Sequence, residues 1–388
     1  MRGSIKQRAR GTWTIWWDEP RGQDGKRRQR SKTIKGTKRD AEARLREILA
    51  SFDTGCYVVP SKQTVGDFLT RWLQDYAAHN VWPRTLDSYR DIIKQHLVPA
   101  IGDITLTSLT PTHIQSYYSR ALESGRLDGK GGLSARTVKH HHRLLAEALG
   151  HALKWGLVVR NVALAVNPPK PVDVEMLTLD NTGVHKLLEA SREAPYYPLI
   201  HLALYTGMRR SELLGLRWKD VDLGMATVSI VQVMHKLRDG SIVFSEPKTA
   251  KSRRMVVLTP TSALALKEHR QKREALSDML AKPLSGDDLV FCNVDGTPLS
   301  LSTVSHAFLD ITRKAGLKNI RLHDLRHSHD SLMLKQNVHP KIVQERLGHS
   351  TIAITLDLYS HVTPGLQEAA ALRFDEGLIT VEDADAIA

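Results

Sequence analysis

Cysteine is almost absent: the chain has two in 388 residues, Cys56 and Cys292, far apart in sequence. That excludes a disulfide framework and a cysteine-ligated zinc finger, and it fits a reducing compartment. No run approaches the ~18 consecutive apolar residues that a bilayer-spanning helix needs. The N-terminus, MRGSIKQRARG, lacks the apolar segment of a secretory signal. Nucleotide and metal motifs are missing too. There is no Walker A loop, no HExxH and no GxGxxG at a strand–helix turn, and the acids form no obvious carboxylate set for two-metal nuclease chemistry. What the chain does have is positive charge: 55 Lys+Arg against 42 Asp+Glu, a net of +13, with pI ≈ 9.7. Hydrophobic residues at 41% and charged residues at 25% make an ordinary globular balance. The length predicts two or three domains, each with ample core. The charge points to a polyanion partner, with nucleic acid ahead of an anionic membrane surface.

The charge is uneven. Residues 1–40 hold 13 Lys/Arg and 4 Asp/Glu, whereas the stretch from Gly365 onward holds one Arg and 6 acids. The basic segment is interleaved with aromatics. Thr12–Trp17 alternates, placing Trp13, Ile15 and Trp17 on one face of a strand. Glu19–Lys26 reads as a turn, and Arg27–Ile34 as a second, basic strand. Thr37, with Asp40 three residues on, caps a helix whose Ala41, Leu45, Ile48, Leu49 and Phe52 recur at helical spacing. A β-β-α unit is expected, with Lys26, Arg27, Arg28, Arg30 and Lys32 as candidates to lie in a groove of DNA.

Gly55–Lys62 reads as a linker, followed by helical sequence from Thr64 to about Trp155. Phe68, Leu69, Trp72, Leu73 and Tyr76 make one apolar face, and Pro83-Arg84-Thr85, Pro111 and Ser134 mark further helix starts. The helix Ala135–Trp155 begins with Arg136, Lys139, His140, His141, His142 and Arg143. Its cationic first half can track phosphates or simply form a solvated face. Arg84, Thr85, Arg136 and Lys139 are the candidate DNA contacts here. Asn167–Pro171, with three prolines, is a stiff linker and the clearest boundary. Beyond it, Tyr197–Leu216 reads as helix, Ala226–Met234 and Ile242–Ser245 as strands around the Asp239-Gly240 hairpin signal, and Arg254–Leu258 as a third strand. From Ser262 the pattern is again helical, with breaks near Pro283–Gly286 and Asp295-Gly296.

Taken singly, the candidate chemical residues are weak. Arg209 lies near a helix start, where a guanidinium can grip a phosphate, but a surface arginine has the same local sequence. Three His-x-x-Arg pairs occur (His140/Arg143, His235/Arg238 and His323/Arg326), so that spacing selects none of them. Gly348 can end a helix and turn His349 toward a site, whereas Tyr359 taken alone reads as a core residue. His323 and His327 have an i, i+4 zinc spacing, yet Arg326 between them would repel a cation and no third ligand is indicated. No metal is expected.

In order along the chain, four stretches resemble the tyrosine recombinase family, specifically the integrases of phages and conjugative elements. They are TGMRRSELLGLRWKDVD around Arg209, EPKTAKSRRMVVL around Lys248, RLHDLRHSHDSLML around His323 and Arg326, and LGHSTIAITLDLYSHV around His349 and Tyr359. Asp330 departs from the pattern, which usually has a small residue there. The resemblance implies a multidomain α+β protein in three parts. Residues 1–58 would be an arm-type DNA-binding domain, a small β-sheet plus a helix. Residues 62–167 would be an all-α core-binding domain. Residues 176–388 would be a mainly α catalytic domain with a small antiparallel sheet and a C-terminal tail.

The resemblance also implies a role for each residue. Tyr359 would attack a DNA phosphodiester, with Arg209, Arg326 and His349 on the non-bridging oxygens and His323 taking the tyrosine proton or placing the phosphate. Lys248 would protonate the leaving 5′-oxygen, with Lys251 as its rival, and Glu212 would position rather than exchange protons. No cofactor is implied, because the 3′-phosphotyrosyl bond conserves the phosphodiester energy. The implied partners are double-stranded DNA with core-type and arm-type sites, three further copies in a tetramer, and accessory bending or directionality proteins, in the cytoplasm of a bacterial host. The tail, with Leu366, Ala370, Leu372 and Leu378, would pack on a neighbouring protomer or on its own domain. A type IB topoisomerase and a non-catalytic DNA-binding regulator are the alternatives.

Overall fold

The computed structural model describes residues 3–19, 28–53, 57, 61–172, 176–247, 249, 252–356, 371 and 374. Its backbone divides into two compact units, Met1–Asp173 and Val174–Ala388. The break falls just beyond the proline-rich stretch, where each proline removes a backbone donor and fixes φ.

The first unit holds two separate apolar clusters. One belongs to a three-stranded antiparallel sheet, β1 (Gly3–Ala9), β2 (Thr12–Glu19) and β3 (Arg28–Lys35), backed by α1 (Lys38–Asp53). Ile15 and Trp17 of β2 are buried against Ala41 and Leu45, with Trp13, Ile48, Leu49 and Phe52 packed around them. The Thr37–Asp40 cap is present: Asp40 Oδ2 accepts from the Thr37 N–H at 2.8 Å, and Thr37 Oγ1 from the Asp40 N–H at 3.3 Å.

Strand β1 corrects the β-β-α expectation. Almost wholly exposed, it offers only Ile5 to the cluster, so its sequence carries no alternation to read. The register also sorts the basic residues. Lys32, Arg30 and Arg28 pair with Ile15, Trp17 and Glu19, so they share the α1 side of the sheet. Arg30 Nε donates to Glu19 Oε1 at 3.1 Å, and Tyr57 donates to the same oxygen at 2.9 Å. The opposite face carries Lys6, and Arg8 over the Trp16 ring at 5.4 Å. Lys26 and Arg27 lie outside the described residues.

The second cluster is all helical. Helix α2 (Val65–Trp72) runs on through a π-turn at Leu73–Ala77, and α3 (Pro83–Ile92) through another at Ile93–Leu97. Helices α4 (Pro111–Ser124) and α5 (Ala135–Lys154) complete the core around Phe68, Leu69, Trp72, Ile114, Leu144, Leu145 and Leu149. Along α5, Arg136, His140 and Arg143 form an exposed stripe at i, i+4, i+7. His141 and His142 turn inward instead, to Tyr117 at 2.6 Å and Tyr118 at 2.8 Å. Burial pushes the pKa of His141 down to about 4, so it adds no charge to the stripe at neutral pH. Arg84 is exposed in the first turn of α3, beside the half-buried Thr85; Lys139 is likewise half-buried on α5.

The second unit is mainly helical around one large core. Its helices are α6 (Asn181–Ser191), α7 (Tyr197–Thr206), α8 (Arg210–Leu214), α9 (Pro260–Met279), α10 (Leu301–Lys314), α11 (Asp324–Lys335) and α12 (Pro340–Leu347). Two small antiparallel sheets accompany them. Strands β4 (Val221–Asp222), β5 (Thr227–Ile230) and β8 (Arg254–Val257) form one; β6 (Val233–Lys236) and β7 (Ile242–Ser245) form the other, closed at Gly240 with φ +88°. The single strand expected over Ala226–Met234 is therefore two strands in different sheets. Likewise β7 and β8 do not pair with each other, so the connection that carries Lys248 crosses between sheets. Among the described residues no helix is long and apolar enough to cross a membrane.

Candidate active site

The helix expected over Tyr197–Leu216 breaks at Gly207, and the break builds the site. Helix α7 is buried on nearly every side, and its C-cap Gly207 adopts φ +64°. A Cβ there would stand 2.3 Å from Leu347 Cδ2 and 3.0 Å from His329 Cδ2. Only glycine combines that left-handed turn with so close a neighbour. The chain then restarts at once, with Arg209 as N-cap of α8. Glu212 at the third helical position reaches back: Oε2 accepts from the Arg209 backbone N–H at 2.8 Å, and Oε1 from Arg209 Nη1 at 2.7 Å.

Arg326 lies in the first turn of α11 and is 4% exposed. Nη1 donates to the Gly207 carbonyl and Nη2 to the Leu347 carbonyl, both at 2.7 Å. Burial, with Arg209 nearby, pushes its pKa down to about 9, which still leaves it cationic at neutral pH. The second carbonyl belongs to a row. At the end of α12, Arg346 O accepts from Arg254 Nε at 2.6 Å, Leu347 O from Arg326, and Gly348 O from Arg209 Nη2 at 3.4 Å. A helix leaves its last carbonyls without internal partners and concentrates negative potential there. Here three guanidiniums from three other elements take them up.

Gly348, with φ +65°, ends α12 and turns the chain to His349. His349 is 9% exposed, and its Nδ1 lies 2.8 Å from the hydroxyl of fully buried Thr355. Burial and the Arg326, Arg209 and Arg254 charges push its pKa down to about 3, so the ring is neutral at pH 7. His323 stands at the N-cap position of α11 without a side-chain capping bond and is exposed, with its ring 5.2 Å from that of His327 and nearly perpendicular to it. The protein packed around it and the neighbouring His327 and Arg326 hold its pKa below the usual histidine value. The described residues include no group of three His, Cys, Asp or Glu able to hold a metal.

Arg209, Arg326 and His349 are thus gathered around the ends of α7 and α12, with His323 at the start of α11. Lys248, Lys251 and Tyr359, and the tail positions Leu366, Ala370, Leu372 and Leu378, lie outside the described residues. Two arginines escaped the sequence reading. Arg254 makes a two-bond ion pair with Glu212, at 3.2 Å and 3.0 Å. Arg346 donates to the Tyr205 and Val257 carbonyls, each at 2.9 Å. Arg254 sits in a short basic run and Arg346 between Glu345 and Leu347, neither with a distinguishing spacing. Glu212 is 2% exposed; burial alone would raise its pKa, but Arg254 and Arg209 outweigh it and hold the carboxyl below the usual range.

Asp330, one turn after Arg326, is 1% exposed, and neither carboxyl oxygen has a hydrogen-bond partner. Burial raises its pKa to about 7 against the pull of Arg326.

Each unit contains a match to a known family model: residues 178–365 fit the phage integrase family, and residues 64–122 fit the phage integrase N-terminal SAM-like domain. The chain belongs to the phage integrase family. It is a site-specific recombinase of the tyrosine type. A relative from Caldanaerobacter subterraneus subsp. tengcongensis, named tyrosine recombinase XerC-like, is 26% identical over 84% of this chain and 87% of its own. Among solved structures, the Tn1549 transposon integrase in complex with a circular intermediate DNA shares the fold, with TM-score 0.68 at 21% identity over 80% of this chain and 99% of that one. Lambda integrase, as a tetramer bound to a Holliday junction, matches with TM-score 0.55 at 19% identity over 91% of this chain and 94% of that one.

Proposed function

We propose that the recombinase integrates or excises a mobile element by cutting and rejoining DNA through a 3′-phosphotyrosyl intermediate at Tyr359. The observation that carries this reading is the convergence of Arg209, Arg326 and His349 at the ends of two helices. In a dianionic pentacoordinate transition state, the two guanidiniums offset the charge on the non-bridging oxygens. The neutral His349 adds a hydrogen bond, with its Nδ1 held by Thr355. Because the carbonyls already fix Arg326, little reorganisation is needed when phosphate arrives.

In the forward step the Tyr359 oxygen bonds to phosphorus and loses its proton, with His323 as the acceptor. The bond from phosphorus to the 5′-oxygen breaks, and that oxygen takes a proton from Lys248. Strand exchange runs the same step backward, with the 5′-hydroxyl of a new strand attacking the phosphotyrosine. The energy stays in the phosphodiester, so neither nucleotide hydrolysis nor metal is required.

Residues 1–58 would hold arm-type sites and residues 62–167 core-type sites, with four protomers on two duplexes. Supporting the core contact are the exposed Arg84 and the Arg136–His140–Arg143 stripe.

A nicked suicide substrate carrying the attachment core tests the nucleophile. The wild type should form an SDS-resistant adduct in the presence of EDTA, and Tyr359→Phe should form none. An adduct that survives the substitution would overturn the assignment. Relaxation of supercoiled plasmid with no joint product would point to a topoisomerase instead.

A further inference from the structure

Arg254 is nearly buried, its side chain 6% exposed, and all three guanidinium nitrogens are engaged. Nε donates to the Arg346 carbonyl, Nη1 to Glu212 Oε1 and to the Ser252 carbonyl at 3.2 Å each, and Nη2 to Glu212 Oε2 at 3.0 Å. One side chain thereby ties together the end of the connection that carries Lys248, the first turn of α8 and the last turn of α12. Glu212 uses the same two oxygens for Arg209. Its charge is divided between a buried guanidinium and one whose side chain remains 35% exposed.

We propose that Arg254 is a positioning residue for Arg209, acting through Glu212; this rests on reading Arg209 as a phosphate ligand. A carboxylate bound to Arg209 alone would neutralise it and compete with the phosphate. Shared with Arg254, the carboxylate fixes the Arg209 rotamer, and the trio keeps a net positive charge for the substrate. The two-bond fork also sets the plane of the Glu212 carboxyl, which the single ammonium of a lysine cannot do. The Ser252 bond gives this arrangement a second consequence: the exit of the Lys248 connection and the aim of Arg209 are set by the same guanidinium.

The test compares wild type, Arg254→Lys, Arg254→Met and the double variant Arg254→Met/Glu212→Gln on the suicide substrate. At saturating DNA, Arg254→Met should cleave at least about 30-fold more slowly, with DNA affinity within about threefold of wild type. Arg254→Lys should recover only part of the rate. The double variant should cleave faster than Arg254→Met, because the unshared carboxylate is gone. A wild-type rate in folded Arg254→Lys overturns the proposal, as does an Arg254→Met defect that the Glu212 change leaves untouched. Should Arg254→Met fail to fold, Arg254→Lys decides. A readout independent of activity separates this proposal from the nucleophile reading. In 15N-arginine spectra of the DNA-free protein, the Arg209 Nε–H signal should broaden in Arg254→Lys. An unchanged signal counts against positioning, whereas a wild-type protein that forms no adduct counts against Tyr359.

Discussion

Arg326 donates to the carbonyl of Leu347 at 2.7 Å, so a guanidinium from the start of one helix neutralises the end of another. The same side chain holds Gly207, and so the charge proposed to grip the phosphate also acts as a fastener for the turn that presents Arg209. Position and charge are supplied by one group, which constrains what can replace it.

Arg326→Lys should therefore fail at both tasks. Lysine offers one compact ammonium in place of a planar fork, and it cannot reach both carbonyls while facing a phosphate. Cleavage at saturating DNA should fall at least about a hundredfold. Loss of a carbonyl partner should cost about 1–3 kcal/mol in urea unfolding of the same variant. A wild-type melt with the rate lost would assign Arg326 to chemistry alone.

Gly207→Ala tests the turn. The new Cβ meets Leu347 and His329 in a backbone conformation that alanine disfavours. Strain and overpacking together predict a loss of roughly 2–4 kcal/mol. Because the Gly207 carbonyl holds Arg326, cleavage should fall more than the unfolded fraction explains. Stability and rate both near wild type would show that the α7 end can shift freely.

Stability should depend on pH in a defined window. His349 and His329 titrate near 3 in the folded chain and His201 near 4, all below the ordinary value of 6.5. Between those values the unfolded chain binds more protons than the folded one. Their contribution is therefore fully present above pH 6.5 and is lost as pH falls toward 4 and below. Asp330 runs the other way: its folded value near 7 exceeds the ordinary 3.8, so its cost appears as pH rises from 3.8 through 7. Asp330→Asn should raise the melting temperature at pH 8, with the gain shrinking toward pH 4. An equal gain at both pH values would mean that ionisation of Asp330 is not the cause.

Lys248→Ala should cripple cleavage of ordinary DNA yet act well on a substrate with a 5′-phosphorothiolate, whose thiolate leaves without a proton. Failure of that rescue would hand the role to Lys251 or another acid.

The N-terminal sheet offers a contrast between two arginines. Arg30 is tied to Glu19, which also accepts from Tyr57, whereas Arg8 lies over Trp16 on the face away from α1. Arg8→Ala should weaken arm-site binding several-fold, and more so at low salt. Arg30→Ala should chiefly lower the melting temperature. The reverse pattern would place the DNA on the α1 side of the sheet.

Much was legible in the chain itself. Helix starts at Pro83, Pro111 and Ser134, the Thr37–Asp40 cap and the Gly240 hairpin are local, so propensity and turn chemistry reveal them. The order of the Arg209, Lys248, His323/Arg326 and His349/Tyr359 segments was likewise enough to indicate the family. Strand β1 was not legible, because an exposed edge strand needs no apolar alternation. Nor was the face on which Arg28, Arg30 and Lys32 lie, since register is settled by pairing with β2. The tertiary structure alone decided how the site is held together. Arg254, Arg326 and Arg209 come from distant segments and meet successive carbonyls of one helix end, 346 to 348. No local pattern records that meeting: unpaired carbonyls end every helix, and only the packing of the other elements brings guanidiniums within reach of these.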